Sequence, residues 1–360
     1  MNRIERYLGS VVFNYSLLVM LVLMVIFAFF EFTNQLGDLD ENYTLGKSAL
    51  FTLLKVPVYG YEVFPIVLLI GTLMGLGSLA NQSELTVLRV SGWSIKRILD
   101  AVLKTALIMW FVMLFVGEWI APSSEAYAKK MKAEALNQSL SIGSKSGFWL
   151  KDNSRYIHVQ RAISHEELHG VEIYQLDANE LQSVIYAEKA QFENGWHFYG
   201  VTEKSFTKHS SENVPLLFGL NIEHTDKLEK SFPLFPEDLA KLDIESKYLS
   251  VLTLYEHIQF LHQNSLDASR YELAFWQKAS LPIVVIAMIA IVFPLVFGSM
   301  RQVSVGQRVF MGVLIGMGFH LVNQLIGNIA VVYSLPIWFA AVAPALVLIT
   351  LAWLWMSRAE

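Results

Sequence analysis

Six apolar segments, each long enough to cross a lipid bilayer, constrain this 360-residue chain more than any other feature. A spanning helix needs about 20 mostly apolar residues, and its backbone polar groups must be satisfied internally because lipid offers them no partners. Charged residues make up only 16% of the chain, against about 25% in an average soluble domain. We therefore predict six transmembrane helices at Val11–Phe30, Val63–Ala80, Ala101–Ile120, Leu281–Phe297, Val309–Val332 and Ile337–Met356.

The basic residues between these segments predict the orientation of the chain, because lysine and arginine concentrate in cytoplasmic loops. The short loop 31–62 on the opposite side is acidic, with Asp38, Asp40 and Glu41. We therefore expect both termini in the cytoplasm and the residues from about 122 to 265 on the exported side. The basic residues that share one side are Arg3, Arg6, Arg89, Lys96, Arg97, Lys104, Arg301, Arg308 and Arg358.

The exported segment changes character, since apolar and polar residues alternate from about residue 141. Such alternation predicts strands, and Asn194-Gly195 between two aromatic residues is a strong hairpin signal. The pattern is typical of an antiparallel β-sandwich or jelly roll. An amphipathic helix is then expected over Ser250–Gln263, with Ser250 as its cap.

The predicted fold is a membrane α-helical protein with six transmembrane helices and an inserted all-β, jelly-roll-like domain. Residues 1–136 hold the first three helices, residues 137–248 the β-domain, and residues 249–360 a connecting helix with the last three helices. The net charge of −5 gives no sign of nucleic-acid binding. Cysteine is absent, which excludes thiolate catalysis and zinc–thiolate sites.

One stretch, HEELH at residues 165–169, matches the H-E-x-x-H signature of zinc proteases. That chemistry needs both histidines on one face of a helix, with the glutamate beside a zinc-bound water. Here the stretch lies between two predicted strands, so we favour a solvated loop and expect no metal. A membrane-embedded zinc protease stays the enzymatic alternative. The phosphate-binding motif G-x-x-x-x-G-K-[ST] does not occur in the sequence, so we expect no ATP hydrolysis by this chain itself.

The segment Asn81–Gly92, between the second and third predicted spans, is the most informative cytoplasmic stretch. It favours a short helix that Ser83 caps and Gly92 stops, with a small apolar face made by two leucines. Such a helix can dock on a cytoplasmic partner, although an ordinary connecting helix at the membrane surface also explains the spacing. Its candidate contact residues are Ser83, Glu84, Leu85, Leu88, Arg89 and Gly92.

Other small and polar residues are candidates for helix packing or lipid contact. Two glycine pairs permit close helix packing, which we favour over a gating role. Two lysines after the third span can hold the phosphates of an anionic lipid, although a solvated helix face is the simpler interpretation. Three polar residues of the fifth span share one face and either form structural hydrogen bonds or line a cavity. These residues are Gly71 with Gly75, Gly312 with Gly316, Lys129, Lys132, His320, Asn323 and Gln324.

Several motifs, together with the order of three spans, a β-domain and three spans, resemble the LptF/LptG family of lipopolysaccharide export permeases. The motifs are SELTVLRVSG in the cytoplasmic segment, GEWIAP at Gly117–Pro122, and FPLVFGSMR after the fourth span. GEWIAP and the fifth-span GFHLVNQLIG are more similar to the LptG branch. The resemblance covers essentially the whole chain.

The resemblance implies an inner-membrane lipopolysaccharide exporter of the ABC type, in which this chain is a permease subunit. An LptF-like sister permease pairs with such a chain, an LptB-like ATPase dimer binds ATP and Mg²⁺, and an LptC-like partner joins the β-domain to a periplasmic bridge. The helix matching Asn81–Gly92 docks on the ATPase, with an acidic residue at the position of Glu84. The first and fifth spans line gates to a central cavity, which makes Phe30 a candidate substrate contact.

One region departs from the family pattern. Basic residues often surround the outer mouth of the cavity in this family, whereas this chain has Glu31 and Asp38 there. We expect the lipid phosphates to be contacted by Lys129, Lys132 or the sister permease. A membrane scaffold that transports nothing stays the non-enzymatic alternative.

Overall fold

The computed structural model describes residues 2–136, 148–152, 154–164, 166–177, 180–209, 217–233, 235–236, 246–263, 267–299 and 303–357. The chain divides into two compact units. The membrane unit comprises Met1–Lys129, Ser246–Glu256 and Ser269–Glu360. The β-unit comprises Lys130–Glu245 and His257–Ala268.

Six helices among the described residues are long and apolar enough to cross a membrane, which confirms the predicted number. The third of them runs from Ile95 to Ala135 through a π-helical turn at Val116–Ile120, and a second π-helical turn, Leu295–Ser299, ends the fourth. The helices are α1 (Arg3–Leu36), α2 (Leu45–Asn81), α3 (Glu84–Val90), α4 (Ile95–Phe115), α5 (Ala121–Ala135), α6 (Val251–Gln263), α7 (Ser269–Pro294), α8 (Val305–Val332) and α9 (Ile337–Ser357).

Polar caps explain why two of these helices extend beyond their apolar cores. Asn2 and Glu5 form a capping box at the start of α1, well before the predicted start at Val11. Ser304 and Gln307 form the same reciprocal arrangement at the start of α8. Each box satisfies backbone amides that a helix N-terminus leaves without intrahelical partners, so the helix begins at the cap and not at the first apolar residue.

The centre of the membrane unit is built from α2 and α7. The most apolar window of α2 is 67% buried and that of α7 is 61% buried, whereas the values for α1 and α8 are 17% and 11%. The helix α2 continues through Pro57 and Pro65, as membrane helices can. The contrast in burial means that α1 and α8 turn large apolar faces outward, towards lipid or another protein.

The β-unit contains one antiparallel sheet of six described strands, and its presence confirms an inserted all-β domain. Strand order follows chain order, so each strand pairs with its neighbours in sequence. The described strands therefore form a meander, whereas the Greek-key crossings of a jelly roll would bring distant strands together. The strands are β1 (Phe148–Asp152), β2 (Arg155–Ser164), β3 (Glu167–Asp177), β4 (Glu180–Phe192), β5 (Trp196–His209) and β6 (Leu217–Glu229).

The predicted hairpin at Asn194-Gly195 is confirmed. Three residues join β4 to β5, and Asn194 has a left-handed φ of 65°, which asparagine tolerates better than most residues. The buried face of the sheet follows the expected alternation, since Ile157, Ile173 and Ile185 lie in register on adjacent strands and are almost fully buried.

The connecting helix α6 begins in the membrane unit and ends in the β-unit. Its predicted cap is confirmed, because the Ser250 hydroxyl accepts a hydrogen bond from the Thr253 N–H at 3.1 Å. Leu254 is fully buried, and Phe260 packs against the apolar core of the β-unit. The cap at Ser250 and the burial of Leu254 thus agree with the amphipathic helix expected over Ser250–Gln263.

Replacement of Asn194 by valine is expected to destabilise the β4–β5 hairpin, because a β-branched side chain resists the left-handed φ at this position. We expect the local opening free energy to fall by about 1–2 kcal/mol. Hydrogen exchange of the β4 and β5 amides in the purified full chain measures this change. Asn194→Gly is the matched control and should exchange as the native chain does; equal protection in both variants would contradict the left-handed turn.

Candidate functional site

The coupling segment, residues 81–92, joins α2 to α4, and its helical part is α3. The C-terminal end of α3 is a Schellman motif. The Trp93 N–H donates to the Leu88 carbonyl at 3.0 Å and the Gly92 N–H donates to the Arg89 carbonyl at 3.1 Å. Gly92 has a φ of 93°, a conformation that glycine adopts without steric cost. The chain therefore leaves α3 in a fixed direction.

The two leucines of α3 face inward. Leu85 is 3% exposed, and Leu88 packs against the same apolar core of the membrane unit. Leu85 is thus covered by its own chain and is not available to a partner, whereas Leu88 is half-buried and docking through it stays a prediction. Val87 and Val90 point the other way, at 66% and 85% exposure, and Arg89 is exposed beside them.

Glu84, at the start of α3, is bonded to α1. Its carboxylate accepts a hydrogen bond from the Tyr7 hydroxyl at 2.8 Å, and an acidic residue in the first turn also suits the positive end of the helix. The cap predicted at Ser83 was wrong, because Ser83 has a φ of 61° and its side chain makes no capping hydrogen bond. The hydrogen bond between Tyr7 and Glu84 therefore connects the N-terminal part of α1 to the first turn of α3.

Arg308 makes a similar connection from α8, and sequence analysis used it only as a marker of orientation. Its side chain is 1% exposed, and its guanidinium donates to the Asn81 side-chain oxygen at 2.7 Å. Gly77 leaves room for this side chain, since a Cβ there would lie 2.6 Å from a guanidinium nitrogen. The position of Arg308 in the first turn of a membrane helix could have identified it from the sequence, because charged residues buried in such helices usually have a structural or functional partner.

The two glycine pairs lie at helix contacts on α2. A Cβ at Gly71 would meet the backbone of Ser16 on α1, and one at Gly75 would touch Val11 at 3.4 Å. The pair on α8 faces α2: a Cβ at Gly312 would lie 2.9 Å from the Ile70 side chain, and one at Gly316 would lie 3.0 Å from the Ile66 side chain. The helix α2 is thus in close contact with both α1 and α8.

A cleft of about 310 Å³ lies between α2, α7 and α8, away from the coupling segment. The three polar residues that the sequence placed on one face of α8 all line it, namely His320, Asn323 and Gln324. The structure thus brings them together at a cavity wall. Tyr61 of α2 and Lys278 of α7 line the cleft as well.

A buried ion pair lies beside this cleft. The Lys278 ammonium is 3.4 Å from the Glu118 carboxylate, with side chains 7% and 12% exposed. Glu118 belongs to the π-helical turn Val116–Ile120, a distortion that often marks functional positions. Its second oxygen accepts the backbone N–H of Val251, the first residue of α6, at 2.7 Å. One carboxylate therefore connects the third span, α6 and α7.

The lysine predicted to meet lipid phosphates in the membrane unit is already paired. Lys129 lies 3.7 Å from the fully buried Glu125, which also binds Lys55 at 3.0 Å. The ring of Tyr248 lies under the ammonium groups of Lys55, Lys129 and Lys247 at 5.3, 5.8 and 4.4 Å. Lys129 is therefore part of a charge cluster within the chain, and its side chain is only 27% exposed, so a fully solvated helix face does not describe it.

The other residues predicted to contact the lipid, Lys132 and Phe30, do not line the cleft. Lys132 is half-buried on α5, and Phe30 is 61% exposed on the outward face of α1. Glu31 is hydrogen-bonded by the Tyr59 hydroxyl and, at 2.7 Å, by the Gln35 side chain. These bonds stabilise the Glu31 charge within the chain, so the acidic residue expected to repel lipid phosphates has partners of its own.

The described residues of the HEELH stretch do not form the helix that zinc chemistry needs, and three of them lie in a strand where we favoured a loop. Residues from Glu167 onward belong to β3, and His165 lies outside the described residues. Glu167 is bound by His169 at 2.9 Å and Lys189 at 3.1 Å, and these partners hold the pKa of its carboxyl below the usual range. The described part of the chain contains no group of three or more histidine or acidic side chains placed to hold a metal.

Comparison with known proteins decides the family. The family described as "Lipopolysaccharide export system permease LptF/LptG" matches residues 6–358. The chain belongs to this family. It is 30% identical over 364 residues to a lipopolysaccharide export system permease protein LptG of Haemophilus influenzae, with 99% of each chain covered. It is also 30% identical over 347 residues to the LptG protein of Escherichia coli K12, covering 95% of this chain and 94% of that one.

Membership of the LptF/LptG family explains the overall arrangement. Six candidate spans in an export permease identify a multi-pass protein of the inner membrane. The family is one of transport permeases, so the chain is classed as a permease. The protease and scaffold alternatives find no support in these relatives.

Replacement of Gly71 by alanine is expected to destabilise the membrane unit, because the added Cβ meets the backbone of Ser16 and the helices must separate. Overpacking of this kind costs about 1–3 kcal/mol, which thermal unfolding of the purified protein in detergent measures. Gly318→Ala on α8 is the matched control, since a Cβ there meets nothing within 4 Å. Equal unfolding temperatures for the two variants would contradict the close contact of α1 and α2.

Proposed function

We propose that this chain is the permease subunit of an ATP-driven lipopolysaccharide exporter. In this proposal it extracts lipopolysaccharide from the inner membrane and passes it to a periplasmic bridge. The match to the export-permease family over nearly the whole chain carries the proposal. Because the sequence has no phosphate-binding loop, ATP and Mg²⁺ belong to a separate ATPase subunit.

The coupling segment and both termini lie on the cytoplasmic side in this proposal, and the β-unit lies in the periplasm. The distribution of charge supports this orientation. Basic residues cluster on the termini and around α3 and α4, whereas the loop between α1 and α2 carries Asp38, Asp40 and Glu41. This orientation also gives α3 access to a cytoplasmic protein.

We infer that α3 docks on an LptB-like ATPase dimer. The outward side of α3 offers Val87 and Val90 beside Arg89, which is a small apolar patch next to a positive charge. Tyr7 binds Glu84 and thereby links the docked helix to α1. The Schellman end keeps α3 rigid, so a movement of the ATPase is transmitted to the spans and is not absorbed in a loop.

The outward faces of α1 and α8 suit pairing with an LptF-like sister permease, because both helices leave most of their apolar surface uncovered within this chain. A central cavity between the two permeases would hold the acyl chains of lipopolysaccharide. Each buried methylene contributes about 0.8 kcal/mol, so a lipid with many chains does not leave the membrane unaided. This energy explains the need for ATP.

The sheet of the β-unit suits an LptC-like partner at one of its edges. The outermost described strands are β1 and β6, and an open edge can accept a strand from another protein. On β6 the side chains of Leu220 and Ile222 are 57% and 49% exposed. We therefore place the bridge partner at β6.

Val90→Asp is expected to reduce co-purification of the ATPase at least tenfold, because a carboxylate buried in an interface without a partner costs about 2 kcal/mol or more. The measurement is quantitative affinity purification of the full chain from membranes. The variant should retain the LptC-like partner, which shows that the chain is folded. Native ATPase recovery with Val90→Asp would reject docking through this face.

Ile222→Asp provides the reciprocal test on the β-unit. Here we expect loss of the LptC-like partner from the same purification, with the ATPase retained, since β6 is distant in sequence from α3. Photo-crosslinking from residue 222 should give an adduct with that partner. A native level of the partner with Ile222→Asp, together with no adduct, would exclude β6 as the bridge edge.

A further inference from the structure

The cleft between α2, α7 and α8 contains polar atoms that its own chain leaves unused. The Tyr61 hydroxyl and the Asn323 side-chain oxygen are both buried, and neither has a hydrogen-bond partner among the described residues. Both residues line the cleft. Buried polar groups in native proteins nearly always have partners, so these atoms indicate that a polar ligand completes the site.

Lys278 adds charge to the same wall. Its ammonium has three donor positions, and the described part of the chain supplies one acceptor, Glu118, at a distance of 3.4 Å. That carboxylate is shared with the closer N–H of Val251 at 2.7 Å. The ammonium also lies 5.2 Å from the centre of the Tyr61 ring. Lys278 and Tyr61 are therefore adjacent donors that together suit an anionic oxygen.

The other charges at the cleft are largely balanced. Lys247 and Glu62 both line it and form an ion pair at 3.5 Å, with Lys247 half exposed. His320, on α8, also lines the cleft. An anion entering the cleft would thus find its strongest contact at Lys278, because that ammonium is buried and only weakly paired.

We propose that this cleft binds the phosphate-bearing headgroup of the transported lipid, with Lys278 and Tyr61 donating to its anionic oxygens. The Asn323 side chain then bonds a neighbouring hydroxyl or amide of the same headgroup. The proposal rests on the proposed function for the source of the phosphate. It assigns to α7 a substrate contact that sequence analysis placed on α5, where Lys129 is already bound to Glu125.

The test compares two forms of one lipid, lipopolysaccharide with its lipid A phosphates and the same preparation after enzymatic dephosphorylation. Binding of each form to the purified full chain in nanodiscs is measured by fluorescence. The native chain is expected to bind the phosphorylated form at least tenfold more tightly, as one charge-assisted contact allows. Lys278→Met should reduce this preference to about twofold while binding the dephosphorylated form as before.

Two further variants distinguish loss of the phosphate contact from misfolding of the Lys278→Met protein. Tyr61→Phe removes a hydroxyl that has no partner in the described residues, so it should fold normally and lose part of the preference, roughly threefold. Lys104→Met, at a lysine of α4 that is 54% exposed and lies 3.7 Å from Glu5 of α1, should keep the full preference. A full preference in both Lys278→Met and Tyr61→Phe would overturn the site.

The source of the phosphate is tested with inorganic phosphate as competitor. Millimolar phosphate should leave binding of the phosphorylated lipid unchanged, and its displacement of the lipid would assign the cleft to a free anion instead. A native chain that binds both lipid forms equally would reject this inference but leave the exporter intact. A native chain that binds neither form would overturn the proposed function together with the site.

Discussion

The close contact that α2 makes with α1 and α8 is the interaction on which the rest of the membrane unit depends. Gly71 and Gly75 admit the backbone of α1, and Gly312 with Gly316 brings α8 against α2. In lipid the hydrophobic effect does not draw helices together, so close packing supplies much of the attraction. Once glycines make these contacts, the large side chains of α1 and α8 are left to face outward, where a partner or lipid meets them.

The same two outward helices are connected to the coupling segment by polar contacts. Tyr7 reaches α3 from near the start of α1, and Arg308 reaches Asn81 from the first turn of α8. A force applied to α3 therefore acts on both helices at their ends, while the buried α2 and α7 hold the centre. Towards the other end, Glu118 connects the third span with Lys278 and with the start of α6. Charge is thus concentrated at the two ends of an otherwise apolar unit.

Sequence patterns predicted the features that depend on neighbouring residues. The number of spans, the hairpin at Asn194 and the cap at Ser250 follow from local hydropathy, turn preference and side-chain reach. The contacts of the site were missed because they join distant residues: Glu118 and Lys278 are 160 positions apart, and Asn81 and Arg308 are 227 apart. The inward direction of the two leucines of α3 was missed for the same reason. A helical pattern shows which residues share a face, but it does not show which distant residues pack against that face.

Reconstitution tests the central claim, which is that this chain moves lipid by using the ATP hydrolysis of another subunit. The full chain is incorporated with its sister permease and ATPase into liposomes that contain lipopolysaccharide, and release of the lipid to a soluble periplasmic acceptor is measured. Release is expected to require both ATP and this chain. ATP hydrolysis by the complete assembly without any lipid reaching the acceptor would contradict this claim.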